Sequence, residues 1–126
     1  MHTAIPLSIA ALIAAGVITI GSFYLAAPQK VSPSFGLKPP APDADTRAWL
    51  RLKGIRDVAS GFVVLTLMAT LGAHAVAIVL LAYAIIPFGD MSIVLASGGS
   101  KSSAFSIHGL TCAVMLAVGL FLLHIA

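Results

Sequence analysis

The sequence predicts an all-α integral membrane protein, a bundle of four transmembrane helices with a short interfacial helix before helix two. Three observations predict it. Hydrophobic residues make up 60% of the 126 positions and charged residues only 9%, where a soluble domain carries roughly 25% charged residues. Mean hydropathy is +1.08. The apolar residues also fall in runs near the ~20 residues that a spanning helix needs, and Pro-, Gly- and Ser-rich breaks separate them. A chain of this length makes one domain, residues 1–126.

Helix one is expected at about residues 3–27. Pro6 falls in its opening turn, where a missing N–H is tolerated. The run has no basic segment before it and exceeds the ~7–15 apolar residues of a signal peptide, so it reads as a retained span. Ala10, Ala11, Ala14, Ala15 and Gly16 suit close helix contact, either within the chain or between copies.

A polar connector follows from Pro28 to Pro42. Its prolines Pro28, Pro33, Pro39, Pro40 and Pro42 argue against regular helix there. Asp43 and Asp45 then offer capping and N-terminal charge for a new helix. Thr46–Gly54 interleaves Trp49, Leu50 and Leu52 with Arg47, Arg51 and Lys53, the pattern of an interfacial helix with a Trp anchor.

Helix two is expected at about 55–71 and helix three at about 75–95, with the break at Gly72-Ala73-His74. Pro87 followed by Gly89 predicts a kink or local unwinding just before Asp90. Ser97 to Ser103 reads as a flexible turn, and helix four as about 104–125.

Six of the seven basic residues lie in the first loop, through Arg56, and Lys101 lies in the third. The positive-inside rule then puts loops one and three in the cytoplasm and both termini outside. This charge is too small and too local for a nucleic-acid footprint, and it fits anchoring to anionic membrane lipid. Cys112 is the only cysteine, so no intrachain disulfide forms.

Arg56-Asp57 is the feature that asks for a function. Charge inside an apolar chain is costly and tends to be kept for a purpose. In the predicted topology Arg56, Asp57, Asp90 and His108 lie within roughly 10 Å of one membrane depth, given ~1.5 Å rise per residue. His108, Thr111, Cys112 and Met115 share one helix face. Asp57, Gly61, Val64 and Met68 share another, and Lys53 is placed to pair with Asp57 at i, i+4.

Two readings stand side by side. In one, the four groups form a structural network that fixes helix packing. In the other, Asp57, Asp90 and His108 are catalytic acid–base groups, and Arg56, Thr111, Cys112 and Met115 line the ligand. Cys112 reads more readily as a packing residue than as a nucleophile. His74 and His124 read as interfacial, and His2 as solvated. No short-spaced metal-ligand motif, phosphate loop, serine elbow or haem-attachment motif occurs, so neither metal nor cofactor is expected.

Three stretches also carry a likeness. In order, Lys53-Gly54-Ile55-Arg56-Asp57, Ile86-Pro87 with Asp90, and His108-Gly109-Leu110-Thr111 resemble a family of small integral membrane proteins, the domain of unknown function 4267 family. The resemblance spans roughly residues 5–125. It implies a four-helix membrane protein with polar positions at Arg56, Asp57, Asp90 and His108, and it implies no activity.

The leading expectation is binding of a lipophilic small molecule beside this cluster at the cytoplasmic leaflet, with isomerase- or cyclase-type chemistry. The alternatives are a small proton-coupled transporter of a cation or drug and a structural membrane subunit. Membrane lipid and further copies of the chain, as a homo-oligomer, are the expected partners.

Overall fold

The computed structural model describes residues 2–125, and they are helical with no strand among them. The long helices are α1 (Ala4–Ala26), α2 (Ala44–Thr70), α3 (Ala73–Tyr83), α4 (Ile85–Ala96) and α5 (Leu110–Ile125). Among the described residues, three helical stretches are long and apolar enough to cross a membrane: Ala4–Ala26, Ala73–Ala96 and Lys101–Ile125. This is the pattern of a membrane protein. α2 is not among them, because Asp45, Arg47, Arg51, Lys53, Arg56 and Asp57 crowd its first half.

The short interfacial helix is not a separate element. Its residues and those of helix two form one continuous α2, since nothing at Gly54-Ile55 breaks the backbone ladder. The Asp43 carboxylate caps this helix by accepting from the Thr46 N–H at 2.8 Å and from the Thr46 hydroxyl at 2.8 Å. α2 ends at Thr70, and Gly72, whose φ is +79°, makes the turn into α3 without the strain a Cβ would bring.

The connector contains more helix than its prolines foretell. Pro28–Val31 forms one α-turn and Ser32–Phe35 one 3₁₀ turn. Pro28 and Pro33 open these turns, where a proline has no intrahelical hydrogen bond to lose. The prolines therefore start short turns here and prevent long ones.

The rod Ala73–Ala96 breaks at Ala84, three residues before Pro87 and well ahead of the expected position beside Asp90. Proline disturbs the helix one turn upstream, through its missing N–H and its clash with the i−4 carbonyl. Here that carbonyl belongs to Tyr83, the last residue of α3. The loop after α4 is a tight turn with defined partners. Gly99 N–H donates to Val94 O at 2.8 Å, and the Ser100 hydroxyl accepts from Ser103 N–H at 3.1 Å. The last helical stretch accordingly begins at Lys101, earlier than expected, and residues Ala104–Gly109 within it are wound as a π-helix.

α1 lies along α2, and α3 lies along α5. The α1–α2 seam is built on small residues. A Cβ on Gly21 would sit 2.6 Å from Gly54 O, one on Gly54 would sit 2.7 Å from Gly21 O, and one on Gly61 would sit 2.7 Å from Ala14 O. Backbones this close are held by van der Waals contact, the main attraction between helices in lipid. The core lies where the two pairs meet, around Ala10, Ala14, Val64, Val76, Leu80, Met115 and Leu122. Of the five small residues noted in helix one, Ala10 and Ala14 are buried there, whereas Ala15 and Gly16 are exposed.

Candidate functional site

A partly open cavity of about 690 Å³ runs between α1, α2, the α3–α4 rod and the π-helical turn. Its walls are mostly apolar, with Ile13, Val17, Ile20, Val64, Leu80, Ile86 and Met115 among them. The charged lining residues are Lys53, Arg56, Asp57 and Asp90, joined by His108. Helices far apart in sequence thus bring all four of the predicted polar residues to one cavity. They do not form one network.

Asp57 is bound by Lys53, with Nζ and Oδ2 2.5 Å apart, one helical turn away on α2. The same ammonium lies 4.4 Å from the ring centroid of Tyr24 and 5.3 Å from that of Phe35. Two aromatic faces and a carboxylate therefore hold Lys53 in place. Ser60 donates its hydroxyl to the Asp57 carbonyl at 2.8 Å, so it does not compete for the carboxylate. Arg56 is exposed at the cavity and forms no ion pair among the described residues.

Asp90 and His108 make the second pair, with Oδ2 and Nδ1 3.8 Å apart. That exceeds a direct hydrogen bond. The imidazole side chain is only 8% exposed, while the carboxylate keeps 31%. His108 Nε2 lies 2.9 Å from Phe35 O, and the two rings stack obliquely with centroids 4.4 Å apart. A carbonyl oxygen only accepts, so Nε2 carries the hydrogen and donates it. In neutral His108, Nδ1 is then an unprotonated acceptor facing a carboxylate. The pair consequently has a place for one more proton or for one outside donor.

His108 lies within the π-helical turn. A π-turn inserts extra backbone into a helix and shifts the faces on either side of it, and such turns recur at functional sites. The stripe read from the sequence divides accordingly. His108, Thr111 and Met115 line the cavity, whereas Cys112 does not. Cys112 is buried, and its Sγ donates toward Ala84 O at 3.5 Å, at the break between α3 and α4. Thr111 spends its hydroxyl hydrogen on Ile107 O, 2.7 Å away, which leaves its oxygen as an acceptor.

The connector is part of the site, and sequence reasoning missed it. It folds as a strap over the end of the helices. Phe35 reaches His108, and Gly36 O accepts from Ser100 N–H at 2.8 Å. A Cβ on Gly99 would sit 2.5 Å from Gly36 O. The available signal was Phe35 itself, an aromatic in a stretch otherwise rich in proline and polar residues. Tyr24 was missed as well, because a tyrosine at the end of an apolar helix reads as an interface residue. Among the described residues no group of three or more His, Cys, Asp or Glu side chains is placed to hold a metal ion.

A family profile described as Domain of unknown function (DUF4267) matches residues 14–122, most of the chain. The protein belongs to this family. The match runs from the middle of α1 nearly to the end of α5, so every DUF4267 residue described above as lining the cavity, save Ile13, lies within it. The curated proteins and the solved structures compared with this DUF4267 chain contain no match.

Proposed function

We propose that this chain is a multi-pass membrane protein that holds a lipophilic small molecule in the cavity, its polar end against Asp57, Asp90 and His108. The observation that carries the reading is the cavity. Its volume of about 690 Å³ falls within the roughly 300–1,000 Å³ of small-molecule sites, and such sites join apolar walls to a few convergent polar groups.

In this reading α2 is a fourth span whose charged first half lies in the interface, with Trp49 at headgroup level. The basic strap and α2 start face the cytoplasm, and both termini face the other side. Exposed side chains such as Ile5, Leu12, Phe23, Ile78, Ile93 and Phe121 meet lipid or a second copy of the chain.

Proton-transfer chemistry, of isomerase or cyclase type, is the activity this polar end suits. His108 keeps Nε2–H on the strap, which frees Nδ1 to take or give a proton beside Asp90. Arg56, which lines the cavity and has no ion pair among the described residues, suits an anionic group. The two carboxylates in the lining also favour a second reading, a proton-coupled transporter, in which Asp90 exchanges its proton during a cycle.

Native mass spectrometry from lipid nanodiscs tests the first reading. The expected result is a small lipophilic adduct on the wild-type protein that is lost in Val17→Trp, which fills the cavity. Equal occupancy in both proteins, or none in the wild type, overturns it. Substrate-dependent proton flux in liposomes, abolished in Asp90→Asn, decides for the transporter.

A further inference from the structure

We infer that the ligand's polar end is an ammonium, so that the occupant is an amphiphilic monoamine held between Asp90 Oδ2 and His108 Nδ1. The inference rests on the cavity-binding reading and names its ligand class.

The argument starts from the imidazole. Because Nε2–H is committed to Phe35 O at 2.9 Å, Nδ1 of a neutral ring offers only a lone pair. It faces Asp90 Oδ2, which also only accepts when ionised, at 3.8 Å. Among the described residues no donor lies within hydrogen-bonding distance of the Asp90 carboxylate, whose His108 neighbour is 3.8 Å away. Two acceptors turned toward each other at the edge of an apolar cavity are unfavourable unless something with N–H or O–H groups sits between them. One ammonium nitrogen at about 2.8 Å from each acceptor spans their separation, and it brings a full positive charge to Asp90, which has no Lys or Arg in ion-pair distance among the described residues.

The rest of the polar end agrees. Asp57 is already neutralised by Lys53, and Lys53 rests on the rings of Tyr24 and Phe35. The protein's own ammonium thereby occupies a site made of a carboxylate and aromatic faces. Lys53 and Asp57 thus offset each other within α2, which leaves Asp90 as the cavity carboxylate without a Lys or Arg partner among the described residues. Arg56 argues the other way, for an anion, but it is exposed and therefore screened by water.

A proton on His108 Nδ1 satisfies the same pair, so amine and proton compete for one place. The charged and titratable groups that share the cavity are Tyr24 of α1, Lys53, Arg56 and Asp57 of α2, Tyr83 of α3, Asp90 of α4 and His108. Among them Asp90 and His108 stand closest to the proposed nitrogen.

The test uses the full chain in nanodiscs of uncharged phosphatidylcholine. Trp49, the chain's one tryptophan, lines the cavity and serves as the fluorescent reporter. Three probes with the same chain are titrated against empty nanodiscs: dodecylamine, whose ammonium has the two N–H groups the bridge needs, dodecanol and dodecanoate. The amine is expected to bind more tightly than dodecanol by about 10- to 100-fold, as a charge-assisted pair implies. Asp90→Asn removes that preference while leaving dodecanol binding in place, and this retained binding also shows that the variant is folded. Equal binding of amine and alcohol by the wild type, or tightest binding of dodecanoate, overturns the amine inference and leaves the cavity reading standing. If no probe binds, both fall.

Discussion

His108 donates its Nε2 hydrogen to the carbonyl of Phe35, 2.9 Å away and 73 residues earlier in the chain. One hydrogen bond thus ties the strap to the last helical stretch and fixes which imidazole nitrogen faces Asp90. A carbonyl cannot change its role, so the tautomer is set by the backbone and not by a titratable neighbour. The expected readout is a ¹⁵N spectrum in which Nε2 is the protonated nitrogen of His108 at neutral pH. An Nδ1–H tautomer removes the acceptor pair on which the site argument rests.

The strap is held as tightly by shape as by hydrogen bonds. Gly99→Ala places a methyl 2.5 Å from Gly36 O and 2.9 Å from the Val94 side chain. Overpacking of this kind costs about 1–3 kcal/mol. Hydrogen exchange at the Ser100 amide, which donates to Gly36 O, is expected to accelerate in this variant. Unchanged exchange would mean that the strap does not depend on the Gly36–Gly99 contact.

Glycines on α1 differ sharply in what they touch. Gly21→Ala drives a methyl into Gly54 O and the Val58 backbone, whereas Gly16 has nothing within 4 Å of its virtual Cβ. Reversible unfolding in mixed micelles is expected to show Gly21→Ala destabilised by roughly 1–3 kcal/mol. Gly16→Ala is expected to be stabilised, by up to about 1 kcal/mol from helix propensity. Equal effects at the two sites would remove the seam as the basis of α1–α2 packing.

Lys53 and Asp57 form a partly buried pair, with side chains 32% and 17% exposed. Removing one partner strands the other in a poorly solvated place. Lys53→Met and Asp57→Asn are each expected to destabilise the protein, and the double variant by less than their sum. A coupling on the order of 1 kcal/mol is expected from a double-mutant cycle. Strict additivity would show that the two charges do not depend on each other.

At the start of α2, the hydrogen bonds from Thr46 hold the Asp43 carboxyl below the usual carboxylate range. A depressed value in the folded chain means that the cap contributes stability above the unfolded pKa, about 3.9, and loses it as pH falls through the folded value. Asp43→Ala is therefore expected to speed exchange of the Thr46 amide at neutral pH. The difference from wild type shrinks toward zero in strong acid, while Asp43→Asn keeps a pH-independent cap. A constant difference across the range would assign the effect to something other than this carboxylate.

Cys112 belongs to packing. It is buried, with its Sγ directed at Ala84 O, so the folded protein is expected to resist maleimide. A cysteine at exposed, cavity-lining Ile107 in a Cys112→Ala background is expected to label readily. Fast labelling of Cys112 would place it back in the cavity.

How much of this was legible in the sequence depended on the range of the physics involved. Apolar run length placed helices at about 3–27, 75–95 and 104–125, within a few residues of the stretches Ala4–Ala26, Ala73–Ala96 and Lys101–Ile125, because hydropathy and helix length are properties of contiguous residues. The turn at Gly72 and the cap at Asp43 were legible for the same reason, as was the i, i+4 pairing of Lys53 with Asp57. Local rules also misplaced some features. The interfacial helix merged into α2, and the break foretold by Pro87 appeared one turn upstream, at Ala84.

The tertiary structure alone decided the rest. Periodicity put Cys112 on the His108 stripe, and only the structure sets its thiol against Ala84 O and outside the cavity lining. Composition made residues 28–42 a polar linker, yet Phe35 and Gly36 hold one end of the site through contacts with residues far along the chain. By itself the sequence determined that this chain is helical and apolar enough to span a membrane, and which few charges it retains there. That Asp90 meets His108, and which nitrogen of His108 is free, depended on segments far apart in the chain, the nitrogen on the backbone carbonyl of Phe35. A carbonyl has the same chemistry in every residue, so no residue type announces it in advance.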